Sequence, residues 1–179
     1  MFNDVPHPFL SRRIAASMPG ETMVATQLPL CPEILLYLVS SQTPDSQPIQ
    51  NNIAQLMESP PYWALCWAGG QVLARYILDN PQVVAGKHVV DFGAGSGVVA
   101  IAAAMAGANS VLACDCDLDA IIAIEENATL NAVEPGMIKP VTSIEWAEQQ
   151  FDLIFAADLL YDSKNLPLLT QFMQAANQD

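Results

Sequence analysis

The sequence predicts an α/β fold: a parallel sheet with helices on both faces. Three observations carry that prediction. Short apolar strands alternate with helical segments over 88–176, one strand runs straight into a glycine-rich turn, and a nearly all-apolar strand comes late in the chain. Such alternation implies right-handed strand–helix–strand crossovers. In order, His88–Phe92 reads as strand one, Gly97–Ala106 as a helix, Ser110–Cys114 as strand two and Leu118–Leu130 as a second helix. Ile138–Ile144 follows as strand three, Phe151–Ala157 as strand four and Asn165–Ala176 as a last helix. Strand four, Phe-Asp-Leu-Ile-Phe-Ala-Ala, has the composition of a buried central parallel strand. With only four strands recognisable, its far edge is expected to be unpaired.

Residues 1–59 read as an N-terminal extension with one element, a short helix over Pro32–Val39, where an opening proline and dense leucine favour that state. Ser40–Gln50, with Pro44 and Pro48, reads as a loop. The main domain is assigned to 60–179. It opens with Tyr62, Trp63 and Trp67, then a helix whose apolar Val72, Leu73, Tyr76 and Ile77 keep the helical period until Asn80-Pro81 stops it.

A chain of 179 residues that is 52% hydrophobic has enough apolar surface for one domain with a real core. Its net charge of −13, with six Lys and Arg, opposes binding to phosphate backbones, so no nucleic acid is expected as a partner. An acidic surface suits cationic partners, or serves solubility alone. Asp4, Pro6 and Pro8 stand where a secretory signal would be basic and apolar, and no stretch is long enough to span a bilayer. A cytoplasmic protein with no membrane partner is the expectation. Cys31, Cys66, Cys114 and Cys116 have no framework spacing and read as reduced thiols. Cys114-Asp115-Cys116-Asp117 lacks further ligands beyond His7 and His88, so no metal is expected and both cysteines read as packing residues.

Val89–Gly97 carries the strongest chemical signal. Strand one ends in Asp91 and runs into Gly93-x-Gly95-x-Gly97, a turn that brings backbone close to a ligand before a helix starts. A dinucleotide site has Gly-x-Gly-x-x-Gly, whereas here the third glycine comes one residue early and Val98 fills the usual glycine position. The pattern fits S-adenosyl-L-methionine better than NAD. Asp115, at the end of strand two, is placed to accept both ribose hydroxyls; capping the helix at Leu118 is the other reading, for which Asp117 is at least as well placed. Asp91 ties loop amides or meets the methionine moiety. Ligands of open parallel sheets lie beyond the carboxyl ends of the strands, so Asp91, Asp115, Glu145 or Trp146, and Asp158 are expected to converge. Trp146 would stack on adenine or be a loop aromatic, and Glu145 would take the exocyclic amine. Trp63 and Trp67 would wall the site or anchor the core.

These residues resemble the class I S-adenosylmethionine-dependent methyltransferases, with their Rossmann-like sheet. Within them they resemble the lysine and small-nitrogen methyltransferases marked by Asp-x-x-Tyr after strand four, here Asp158-Leu-Leu-Tyr161. Pro32–Leu38, Pro60–Ala64, Trp67–Gln71 and Asp91–Gly97 look, in combination, like the bacterial relatives of the electron-transfer-flavoprotein β-subunit lysine methyltransferase. The resemblance implies methyl transfer to lysine side chains of a protein substrate. It puts Asp158 and Tyr161 at the acceptor side and Trp67, Gly93, Asp115 and Trp146 around the cofactor. It also implies further strands that this sequence stops short of, and with them part of the substrate groove. A small-molecule nitrogen methyltransferase is the alternative, followed by a truncated module that binds cofactor or partner without catalysis. Since the attacking amine must be neutral and a carboxylate would raise its pKa, Asp158 suits an orienting role rather than that of a base.

Overall fold

The computed structural model describes residues 5–40, 60–143, 151–159, 165–167 and 170. Helix α1 (Pro8–Ser17) leads into an antiparallel hairpin of β1 (Thr22–Gln27) and β2 (Leu35–Ser40). A 3-10 turn at Tyr62–Ala64 precedes α2 (Ala68–Asp79). The chain then winds through β3 (His88–Phe92), α3 (Val98–Met105), β4 (Ser110–Cys114), α4 (Leu118–Leu130), β5 (Ile138–Val141) and β6 (Leu153–Ala156). The last four strands form one parallel sheet in the order β5-β4-β3-β6.

Alternation along the strands divides the sheet into two apolar faces. Val89, Val111, Ala113 and Ile138 face α2, α3 and α4 and build the main core with Ala74, Ile77, Val98–Ala103 and Ile124. On the other face Val90 and Leu112 gather Phe92, Val141, Phe151 and Ile154. Helix α3 is buried along nearly its whole length because its residues, Val-Val-Ala-Ile-Ala-Ala-Ala, are small or apolar all round.

β3, β4 and α4 have the bounds that the sequence predicts. β6 is shorter than expected and only half-buried, with Ala156 exposed, because among the described residues it pairs with β3 alone. β5 ends at Val141, short of the strand expected over Ile138–Ile144, of which position 144 lies outside the described residues, as does most of the last helix; 165–167 and 170 are helical.

The segment predicted as a helix over Pro32–Val39 is instead a turn followed by β2. Cys31 C=O accepts from Ile34 N–H (2.9 Å), closing the turn, and β2 pairs with β1, an element that sequence reading did not find. The physical reason lies in where the strand sits. Ile34, Leu36 and Leu38 join the main core, while Tyr37 and Val39 pack against a second cluster with Leu10, Ile14, Met23 and Trp63. With both faces covered, every position is apolar and no period-two signal survives to separate strand from helix. Helix α1, also unpredicted, is capped by His7 Nδ1, which accepts from Leu10 N–H at 3.2 Å.

Candidate active site

The parallel register sets Phe92 level with Cys114 and Ala156, so β3, β4 and β6 end along one rim. The glycine turn sits on it. Cys114 C=O accepts from both Gly93 N–H (2.8 Å) and Ala94 N–H (3.0 Å), bending the chain sharply away from the strand. Gly93 has φ +75°, where a side chain would be strained, and a Cβ there would stand 2.3 Å from Leu159 Cδ2 and have to displace it. At Gly95 an added Cβ would meet nothing within 4 Å, so the crest of the turn faces open space. Gly97 then opens α3.

Asp115 Oδ2 accepts from Gly95 N–H (2.8 Å) and Oδ1 from Asp117 N–H (3.0 Å). The helix cap of α4 falls to Asp117, which accepts from Asp119 N–H at 2.8 Å. A carboxylate offers about four acceptor positions, so Asp115 keeps capacity for a diol beyond its two amide bonds. Burial pushes its pKa up, against the opposing pull of those amides.

Asp91 is buried beneath the turn, and its Oδ2 accepts from Ala100 N–H (3.0 Å) in the first turn of α3. Burial pushes its pKa up to about 7; the Ala100 amide lowers it and the neighbouring Asp115 raises it further. Two acids thus stand close together under one loop, a locally unfavourable arrangement that a cation would relieve.

Asp158 joins the rim from β6. It is non-glycine at φ +53°, a conformation that Asp tolerates better than most residues. Its Oδ2 accepts from Gly70 N–H at 2.9 Å, so the carboxylate sits on the N-terminus of α2, where the helix dipole favours negative charge. A Cβ at Gly69 would lie 2.6 Å from Asp158 Oδ1, and one at Gly70 would press on Val98 Cγ1 at 3.1 Å. Leu159, the next residue, is the side chain that packs on Gly93.

Trp67 stands just before α2 and is 45% exposed, its indole N–H donating to Tyr62 C=O (3.1 Å) and its ring edge-on to Tyr62. It borders an apolar cavity of about 190 Å³ with Met18, Pro60, Pro61 and Leu65. Trp63 is 3% exposed and is a core anchor, whereas Trp67 is not part of the buried core. Cys114 is buried, with its thiol pushed up to about 11 by burial, while Cys116 is exposed and does not pack as expected.

The structure therefore brings Asp91, Gly93, Gly95, Gly97, Asp115 and Asp158 to one rim, with Trp67 on the adjoining turn. Glu145, Trp146 and Tyr161 lie outside the described residues. Sequence reading missed Cys66, whose thiol meets Ser96 in the glycine turn and is pushed up to about 12 by burial. It also missed Asn127, fully buried in α4, whose Nδ2 donates to Ser96 C=O at 2.9 Å. The available signal for Asn127 is its chemistry: a short amide in mid-helix is disfavoured unless it has partners.

A family model described as ribosomal protein L11 methyltransferase (PrmA) matches residues 72–167. The electron transfer flavoprotein beta subunit lysine methyltransferase of Homo sapiens is 39% identical over 166 residues, covering 93% of this chain and 62% of that protein. The protein of the same name from Xenopus laevis is 38% identical over 173 residues, covering 91% and 67%. A solved ribosomal protein L11 methylase from Lactobacillus delbrueckii subsp. bulgaricus is 36% identical, covering 62% of this chain and 55% of that one, with a TM-score of 0.47. The chain spans about three fifths of the length of the mammalian relatives it matches. The family match takes in the glycine turn, Asp115 and Asp158 and runs over more than half of the sequence: the chain belongs to the ribosomal protein L11 methyltransferase (PrmA) family.

Proposed function

We propose that this chain binds S-adenosyl-L-methionine and forms the cofactor-binding part of a protein lysine N-methyltransferase, with the electron transfer flavoprotein β-subunit as its substrate. The observation that carries the cofactor reading is the pairing of Asp115 with the open crest at Gly95. One carboxylate steadies the turn and retains acceptor positions for a ribose diol. The substrate reading rests on the relatives named for that activity, at 38–39% identity across most of this chain.

When bound, S-adenosylmethionine supplies an activated methyl group for in-line displacement. What remains for the protein is geometry and charge. A lysine amine with an ordinary pKa near 10.4 costs roughly 4–5 kcal/mol to deprotonate at pH 7, at about 1.4 kcal/mol per unit. Removal from water and the nearby sulfonium charge offset part of that cost, and a carboxylate used as a contact would oppose it. Asp158 already spends one oxygen on Gly70 N–H, which supports an orienting role for it at the acceptor side, with Tyr161 as its companion. Trp67, Asp91 and the three glycines enclose the cofactor in this reading, and Glu145 and Trp146 take the adenine. The acidic surface suits a lysine-bearing partner.

Incubation of the chain with methyl-labelled cofactor and a lysate of the source cell tests the whole reading. Label on the flavoprotein β-subunit is the expected result, and label confined to small metabolites would move the assignment to a small-molecule acceptor. Asp115→Ala is expected to weaken cofactor binding at least ten-fold in calorimetry; unchanged affinity would remove Asp115 from the ribose. Asp158→Asn should instead lower turnover about ten-fold while cofactor affinity stays within about two-fold, and a large loss of affinity would place it at the cofactor. Asp91 adds a proton-linked signature. With its pKa near 7 in the free protein, a cationic ligand drives it toward the carboxylate, so binding near pH 7 releases protons and tightens as pH rises. Titrations in two buffers of different ionisation enthalpy measure this directly; proton uptake or no exchange would separate Asp91 from the ligand's charge.

A further inference from the structure

Asn127 has two partners that belong to different parts of the molecule. Its Oδ1 accepts from Tyr37 N–H in the hairpin at 2.7 Å, and its Nδ2 donates to Ser96 C=O in the glycine turn at 2.9 Å. Tyr37 offers only a donor there and Ser96 only an acceptor, so the amide has one satisfying orientation. The side chain is fully buried.

Asn131, one helical turn on, completes the arrangement. Its Oδ1 accepts from Leu35 N–H (2.9 Å) and its Nδ2 donates to Leu35 C=O (2.6 Å). Four helical residues rise about 6 Å, and two strand residues advance about 6.7 Å, so an i, i+4 pair of amides matches alternate residues of a strand edge. The two asparagines act as a substitute strand for the edge of β2 that β1 does not pair. Only Asn127 continues beyond the hairpin to the turn.

We propose that Asn127 is a positioning residue of the cofactor turn: it fixes Ser96 between Gly95 and Gly97 and couples the docking of the N-terminal hairpin to ligand affinity. This rests on the cofactor reading above only for its affinity arm. The geometric basis is that Ser96 C=O is pulled toward α4, which leaves the crest at Gly95 turned outward beside Asp115. Without that pull the turn has one tie fewer and samples orientations in which its crest and Asp115 no longer face one ligand.

The test compares Asn127→Leu with Asn131→Leu in the full chain. Both remove amides that dock β2, but only the first touches the turn. Hydrogen exchange of the free proteins is the first readout: both variants are expected to lose protection in the hairpin, and only Asn127→Leu to lose it at 93–101. The second is affinity for S-adenosylhomocysteine by calorimetry at a temperature where both variants are folded. Asn127→Leu is expected to bind at least ten-fold more weakly than the natural sequence, and Asn131→Leu within about two-fold of it. If Asn127→Leu does not fold, Asn127→Asp keeps the acceptor for Tyr37 and removes the donor to Ser96, and the same contrast with Asn131→Leu applies. Equal exchange at 93–101 in both variants, or equal affinity, overturns the proposal. Absence of binding by the natural chain would count against the cofactor reading alone, and the exchange comparison would still decide the role of Asn127.

Discussion

The glycine turn after β3 is held almost wholly by the next strand–helix unit, and the rest of the site follows from that constraint. Cys114 at the end of β4 takes two of its amides, Asp115 takes a third, Asn127 of α4 holds a carbonyl, and Ile124 packs against Gly97. A buried backbone group left without a partner costs about 1–3 kcal/mol, so a turn this rich in left-handed residues persists only because β4 and α4 satisfy it. The parallel register that sets Phe92 beside Cys114 is therefore a condition of the site as much as of the sheet. A slip of one residue would turn Asp115 to the wrong face and leave the turn without its ties.

A second set of contacts reaches the rim from elsewhere in the chain, both before and after the turn. Asp158 sits on the first turn of α2, Leu159 on Gly93, and the Cys66 thiol on Ser96. Through Asn127 and Asn131 the hairpin becomes part of the same framework. Arg13 of α1 pairs with Asp119 in the first turn of α4, and His7 packs at a tilt against the Tyr37 ring while reaching Glu126 at 3.3 Å. The N-terminal segment thus docks on the helix that steadies the glycine turn, which explains why its apolar residues share a core with α2 and α3.

What could be read from the sequence was whatever local pattern decides. β3, β4 and α4 were legible to the residue because each is bounded by its own signals: a glycine turn after Phe92, an Asp-rich turn after Cys114, a cap at Asp117. The hairpin was not legible, since Leu35–Val39 is apolar on both faces and its outer edge is paired by side chains ninety residues and more away. The site divides in the same way. Gly93, Gly95, Gly97 and Asp115 announce themselves through spacing, and Asp158 through its place after a strand. The Gly70 amide that holds Asp158 and the Ser96 carbonyl that Asn127 holds are backbone groups, and no residue type marks them.

Electrostatics gives the site its direction. Asp91 and Asp115 are held together out of water in a chain of net charge −13, and each has its pKa raised chiefly by burial. A carboxyl whose folded pKa lies above its unfolded value makes the native state the better proton binder, so stability falls as pH rises from the ordinary carboxylate range toward 7. Near neutrality the free protein therefore carries a strained pair of acids beneath the turn. A neutral ligand would leave that strain in place, and a phosphate-bearing one would add to it, since its charge would meet two carboxylates. A nucleoside with positive charge relieves it. The same buried acids that weaken the free fold thus favour, by sign, a cationic ligand over an anionic one at this rim.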